Sequence, residues 1–528
     1  MRRIWFIAFV LALSLTVPIA YQYSWAKAEV TGSTVVGEKN LALPDRVIKP
    51  SDIRFSAEYG RIVETFDGGG TILVIHMQDT HTNYEAQKNA ANILEELIKN
   101  YGLYLILVEG GSRDVSLNNY RDGTSLDERK KMAENWLKEG TIAGEEYLNI
   151  ASDYPMKLQG IEDRTLYDQN MEAFLEVDKG KNDAMSYTGQ LSSVVANLKV
   201  KVYSKQLKEL DEKKAGFNEE KVSLNDYVRY LGDIAQAKKA DLAAYANYKN
   251  LFDSLELEKT IDFNTVERER TGAIEVISKK CNVNELNELL AKSAEFKAGR
   301  MTQAQYHIYL RDMMAKARVD INKYQNLKKY VTYLTAYEKI DSGRLFSELK
   351  AIEDMLEGLF YANEDQRRLA KIASDLQLLI DFIDLKLTPA DFDYYCQNEA
   401  GFNVVVWARF LNSQSDRYKL TQKIPEDAQA IDKIIKPLKD FYRVARQRDE
   451  VFLNNTKKYI AREGVNHAVL IAGGFHTPSL TQLFRQNNIS YVVVIPKVVK
   501  ATDEKLYHKI LTEGWAPAEA PGTQEKTE

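Results

Sequence analysis

TILVIHMQDTHTNYEAQKNAANILEELIKNYGLYLILV, residues 71–108, reads as strand, helix and strand. Its two ends, 71–75 (TILVI) and 103–108 (LYLILV), are short apolar runs rich in β-branched residues. That is the composition of strands covered on both faces of a parallel sheet. Between them Ala86, Ala90, Ile93, Leu94, Leu97 and Ile98 recur at helical spacing and predict a helix over about 83–99. Thr82 and Glu85 fit a capping box at its start. Gly102 stands where such a helix stops. Strand, helix and strand joined over this length form a βαβ unit, which is right-handed.

Residues 156–160 (MKLQG) offer a third strand. Much later the same texture returns in 468–472 (AVLIA) and 491–495 (YVVVI). Between these, Thr477 and Pro478 suit the N-cap and first turn of a helix running to about Gln486. Residues 166–462 differ: they are rich in Lys, Glu, Leu, Ala and Tyr and poor in proline. Stretches 222–257, 327–337 and 345–361 read as amphipathic helices. Ser342-Gly343 and Thr388-Pro389 are breakers between them, and no fixed-period repeat is evident. The tyrosines are expected at helix contacts, ring inside and hydroxyl at the rim. The expected class is therefore α/β. A largely parallel sheet is built from 45–165 and 463–500, and a long all-helical insertion, 166–462, separates the two halves.

Composition sets the outer bounds. The chain has 528 residues, 45% hydrophobic and 28% charged, enough to bury a core and too many for one ordinary domain. Its net charge is −5, with both signs mixed. No basic stripe is present to neutralise phosphates, so no nucleic-acid partner is expected. Two cysteines, Cys281 and Cys396, exclude a disulfide framework and leave a single bridge open. Residues 1–28 read as an export signal: Arg2 and Arg3, an apolar run from Ile4 to Ala20, then Ala26-Lys27-Ala28 at cleavage spacing. An uncleaved anchor is the alternative, but the run is short and holds Pro18. An exported, periplasmic or extracellular protein is expected, with no membrane span after cleavage. The polar tail, 501–528, is expected to be disordered at its end.

In open α/β sheets ligands bind beyond the carboxyl ends of the strands. Those positions carry the chemistry here. The first strand is followed by His76, Asp79 and His81; the second by Glu109-Gly110-Gly111; the third by Glu162, Asp163 and Arg164; the fourth by Gly473-Gly474-Phe475-His476. Three of the chain's six histidines fall in these places. His76 is read as a hydrogen-bonded core histidine first and a ligand second. Glu85 is a capping residue first. Glu109, after five apolar neighbours, needs a charged partner or its pKa rises. Histidines and carboxylates in this number either hold a divalent metal with one position open for water or act as an acid–base pair. The residues alone leave both open. No His-Glu-x-x-His, Gly-x-Ser-x-Gly or phosphate-loop motif is present.

The set QDTH (78–81), VEGG (108–111), GIEDR (160–164) and AGGFH (472–476) resembles the erythromycin esterase, ChaN, TraB and Tiki superfamily. That resemblance covers about 170 residues at the two ends. Gln78-Asp79 stands where the family carries Gly-Glu. The resemblance implies His81 as the first site histidine, with Asp79 as the acidic residue before it. It implies Glu109 as the second-strand glutamate, His476 as the C-terminal histidine and Arg448 as the arginine preceding the fourth strand. It implies His81, Glu109, His476 and Arg448 as catalytic residues, and His81, Asp79, Glu109 and His476 as metal ligands; by their strand-end positions His76 and Glu162 are further possible ligands. The function so implied is hydrolysis of an ester or amide in a small-molecule or peptide substrate. The alternative is a non-enzymatic haem- or iron-binding protein. A calcineurin-like phosphoesterase ranks below both, because the later motifs of that family are missing.

Overall fold

The computed structural model describes residues 47–79, 83–297 and 301–498. The expected signal segment, the C-terminal tail, Thr82 and His81 lie outside the described residues. Among the described residues no helix is long and apolar enough to cross a membrane.

One six-stranded sheet has the order β1-β6-β2-β5-β3-β4. Its strands are β1 (Gly60–Phe66), β2 (Leu73–Asp79), β3 (Leu105–Val108), β4 (Lys157–Gly160), β5 (His467–Gly473) and β6 (Ser490–Pro496). The two ends of the chain alternate at its centre. β2 lies parallel between β5 and β6, with Leu73 opposite His467 and Asp79 opposite Gly473. All neighbours are parallel except β1, which runs antiparallel to β6 at the edge.

β1 escapes the sequence reading because GRIVETF holds no compact apolar run. As an edge strand it is only partly buried, so polar Arg61, Glu64 and Thr65 are tolerated there. β2 extends beyond residues 71–75, so His76, Gln78 and Asp79 lie on the strand and not in a following loop.

The helices of the first half are α1 (Tyr84–Tyr101), α2 (Leu126–Glu139), α3 (Gly144–Ala151) and α4 (Arg164–Val202). α1 is capped by Asn83, whose side chain accepts from the amide of Ala86, so the cap falls one residue later than the expected Thr82. Gly102 closes it at φ 68°, as expected. Its apolar stripe packs Ile93, Leu94 and Leu97 on Ile75, Met77, Ile106, Val469 and Val492 of the sheet.

The chain continues through α5 (Lys205–Asn218), α6 (Leu224–Lys238), α7 (Ala246–Glu258), α8 (Phe263–Ser278), α9 (Val283–Lys297), α10 (Gln303–Lys316), α11 (Gln325–Glu338), α12 (Ser342–Gly358) and α13 (Glu364–Ile383). Then come α14 (Pro389–Gln397), α15 (Val404–Arg417), α16 (Gln429–Glu463) and, between β5 and β6, α17 (Thr477–Gln486). The expected helix over 222–257 is two helices, because Lys239 adopts the left-handed conformation that ends α6. Thr477 is the first residue of α17 and His476 its N-cap, so the expected Thr477 cap is displaced by one.

The described residues form two compact units. One takes the sheet with residues up to Ala196 and from Lys371 onward; the other is Asn197–Ala370. The helical stretch 166–462 is thus divided, and α16 belongs with the sheet. In the helical unit, Tyr227 and Tyr248 are wholly buried. Their hydroxyls bond Glu353 and the Val228 carbonyl inside the core, not at a rim. Both cysteines are free thiols.

Two glycines let the sheet edge close near the site. Gly110 turns the chain after β3 at φ 84°. Gly160 lies so near Gly111 that a Cβ would stand 2.0 Å from the Gly111 carbonyl carbon. Gly160→Ala is expected to cost about 3 kcal/mol of overpacking, read as a lowered midpoint of urea unfolding. A loss under about 0.5 kcal/mol, the range of ordinary surface substitutions, would contradict this packing.

Candidate functional site

Three of the four strand ends that the sequence singled out supply a polar group to one edge of the sheet. Glu109 follows β3, Glu162 follows β4, and His476 lies in the short turn between β5 and α17. Arg448 and Asp449 come from α16. Arg448 donates to Glu162 through Nε (3.1 Å) and Nη2 (2.7 Å), to Asn170 through Nη1 (2.8 Å) and to Glu109 Oε1 through Nη2 (2.9 Å). The other Glu109 oxygen accepts from the Gly473 amide at 2.8 Å. His476 is held from both sides, Nδ1 against Asp449 at 2.5 Å and Nε2 against Glu109 at 3.3 Å. The result is one continuous network, Asp449–His476–Glu109–Arg448–Glu162.

Exposure separates the members. The side chains of Glu162, Asp449, His476 and Arg448 are 2–7% exposed, whereas that of Glu109 is 18% exposed. Glu109 is therefore where the network meets solvent. Aromatic rings dry the rest. Tyr167 and Phe452 flank the Arg448 guanidinium, and Phe452 and Phe475 pack on the His476 ring.

Burial alone would push the Glu109 pKa up. The charges of His476 and Arg448 and the hydrogen bonds it accepts instead hold it well below the usual carboxylate range. Burial would likewise discharge His476, but the carboxylates of Glu109 and Asp449 raise its pKa to about 9. His476 is thus an imidazolium whose two N–H groups are both donated. It does not act as a free base in this arrangement.

His76 behaves as the core histidine the sequence favoured. It is fully buried, and its Nδ1 faces the Leu470 carbonyl at 3.3 Å. A carbonyl only accepts, so Nδ1 carries the proton and Nε2 accepts from the Thr477 hydroxyl at 2.8 Å. Gln78 donates to the same hydroxyl at 2.6 Å. Burial lowers the His76 pKa to about 4, partly opposed by the Leu470 carbonyl and reinforced by His476. Its folded value lies below the unfolded 6.5, so its contribution is complete above pH 6.5 and is lost as pH falls towards 4. Thermal unfolding of the sheet unit should lose about 3 kcal/mol across that window, less in His76→Gln. An equal acid loss in both proteins would count against a neutral His76.

The remaining candidates are placed as follows. Asp79 ends β2 and accepts from Gln87 at 2.6 Å; Gln87 in turn accepts from the Gly144 amide. Asp163 is exposed and accepts from the Leu166 amide, while Arg164 pairs with Asp168. His81 lies outside the described residues. Among the described residues no group of three or more His, Cys, Asp or Glu is arranged to hold a metal ion. Glu109 and His476 spend their ligating atoms on each other, Arg448, Gly473 and Asp449, and a guanidinium adjoins the carboxylate. Glu162 is taken up by Arg448. Among the described residues, Glu109, His476 and Glu162 thus have these partners in place of a shared metal position.

Sequence reasoning gave Arg448 a role and passed over its neighbour Asp449, along with Asn170. A signal was there. In α16 the buried positions 444, 445, 452, 453, 456, 459 and 460 define the apolar stripe, and Arg448 and Asp449 fall on it. Two adjacent charges on the buried stripe of a helix require partners.

The chain matches no protein-family model, no curated protein and no solved structure.

Proposed function

We propose that the protein is a hydrolase in which water attacks an ester or amide carbonyl beside Glu109. The observation that carries this is the pairing of a partly exposed carboxylate with a buried imidazolium, braced by Asp449 on one side and Arg448 on the other. Such pairs of titratable groups with pKa values pushed apart mark acid and base assignments. Glu109 orients the water and takes its proton as the carbonyl carbon–oxygen bond to water forms. His476 Nε2, released from Glu109 once that carboxylate has taken the proton of water, gives its own proton to the departing alcohol or amine as the acyl bond breaks. The proton on Glu109 then returns to His476 across their contact, restoring both groups. Asp449 keeps the imidazolium stable and oriented, and Arg448 keeps Glu109 ionised and in place. The low basicity of Glu109 implies a modest rate. His81, two residues beyond Asp79 in sequence, is the further candidate base.

The test uses the purified chain against a panel of esters and peptides. Glu109→Gln and His476→Gln should each lower kcat/KM by about 100-fold or more, with folding checked by circular dichroism. No turnover by the wild type on the whole panel, or turnover unaffected in both variants, would overturn the proposal.

A further inference from the structure

The helical unit holds a feature of its own. A groove of about 330 Å³ runs along α11. That volume lies at the lower end of ligand pockets, about 300–1,000 Å³. Its lining comes from one face of α11, at positions 328, 331, 332, 335, 336 and 339, with Asn250 of α7, Arg311 of α10 and Ile321 of the preceding turn.

The groove has two kinds of wall. Ile321, Val331 and Ala336 are apolar. Thr332 and Thr335 turn their hydroxyls back onto the carbonyls of Lys328 and Val331, at 2.9 and 2.7 Å. Those hydroxyls are spent on the helix, which leaves the methyl groups to line the groove. Around this apolar floor stand three cations, Arg311, Lys328 and Lys339, and no carboxylate belongs to the lining. Arg311 is paired with Asp312. Lys328 bonds only the neutral amide oxygen of Asn322. Among the described residues no carboxylate lies within ion-pair distance of Lys328 or Lys339. Three cations and no carboxylate thus line the apolar floor.

We infer that this groove binds an amphiphilic anion of the class of a medium-chain fatty carboxylate. The tail lies on Ile321, Val331 and Ala336, and the head meets Lys328 and Lys339. An apolar floor gives no reason for a bare inorganic anion to bind, and the cationic rim opposes a cationic amphiphile. Burying the tail supplies about 0.8 kcal/mol per methylene. The exposed ion pairs add little affinity and set the sign of the head group.

The experiment is isothermal titration calorimetry of the full chain with decanoate below its micellar concentration. Decyltrimethylammonium, decanol and inorganic phosphate serve as matched probes. Saturable one-to-one binding of decanoate is expected, with each matched probe at least about 10-fold weaker. Added salt should weaken the decanoate interaction. The double variant K328E/K339E, at two exposed positions, should bind decanoate at least about 10-fold more weakly while its circular dichroism and thermal midpoint stay unchanged. Phosphate binding as tightly as decanoate would make this a bare anion site and overturn the inference. So would equal binding of decyltrimethylammonium, wild-type affinity in K328E/K339E, or no saturable decanoate binding below about 1 mM.

Discussion

Arg448→Met should cost the sheet unit about 3–5 kcal/mol, the usual penalty for removing one partner of a buried ion pair. Arg448 is the cation that Glu162 and Glu109 share, and the Glu162 side chain is only 2% exposed. Without the guanidinium, which Tyr167 and Phe452 flank, Glu162 loses its cation in a buried setting, and Glu109 keeps only His476 and the Gly473 amide. Methionine fills similar volume, so the loss reports charge more than packing. The carboxylates can escape by taking up protons. The penalty should therefore shrink as pH falls towards the ordinary carboxylate range, opposite to the acid loss expected from His76. Trp136 and Trp407 both lie in the sheet unit, so their fluorescence during urea unfolding follows the right part of the chain. A loss below about 1 kcal/mol, typical of an exposed pair, would mean that the network does not hold this edge together.

The second large effect concerns Asp449. Asp449→Asn keeps an oxygen for the Nδ1 proton of His476 and removes the charge. His476 stands at about 9 because two carboxylates outweigh its burial. With one of them neutral, its pKa should fall by at least about one unit, equivalent to about 1.4 kcal/mol. The stability consequence has a definite sign. A folded pKa raised above 6.5 gives stability that is complete below pH 6.5 and fades as pH rises through about 9. In Asp449→Asn that contribution should be reduced, and the fading should come at lower pH. If His476 is the acid, the alkaline limb of kcat/KM should move with it, because imidazole has no proton to give above its pKa. A variant that retains both the wild-type alkaline limb and the wild-type stability curve would remove Asp449 from the account.

How far the sequence revealed this arrangement depends on what each residue needed. The βαβ unit from β2 to β3 and the returning strands β5 and β6 were legible, because parallel strands covered on both faces are written as unbroken apolar runs. The meeting of Glu109 with His476 followed from that, since both sit at carboxyl ends of strands in one sheet. β1 was not legible: an antiparallel edge strand needs one apolar face at most, and GRIVETF shows no run. The true length of β2 was hidden for a different reason. His76 and Gln78 look like loop residues until Thr477 and the Leu470 carbonyl, about 400 positions away, satisfy them. The break between α6 and α7 was also hidden, because Lys239 takes the left-handed conformation without a glycine to announce it. Asp449 was overlooked although its place on the buried stripe of α16 betrayed it.

Groups from the two distant parts of the chain, Glu109 and His476, share one proton-holding centre. The most direct test is the ¹⁵N resonance titration of the His476 ring, in the wild type and in Glu109→Gln. The ring is expected to remain an imidazolium to pH about 9 in the wild type and to titrate at lower pH once Glu109 has lost its charge. A ring that is already neutral near pH 7, or one whose titration ignores the Glu109 substitution, would contradict a shared centre.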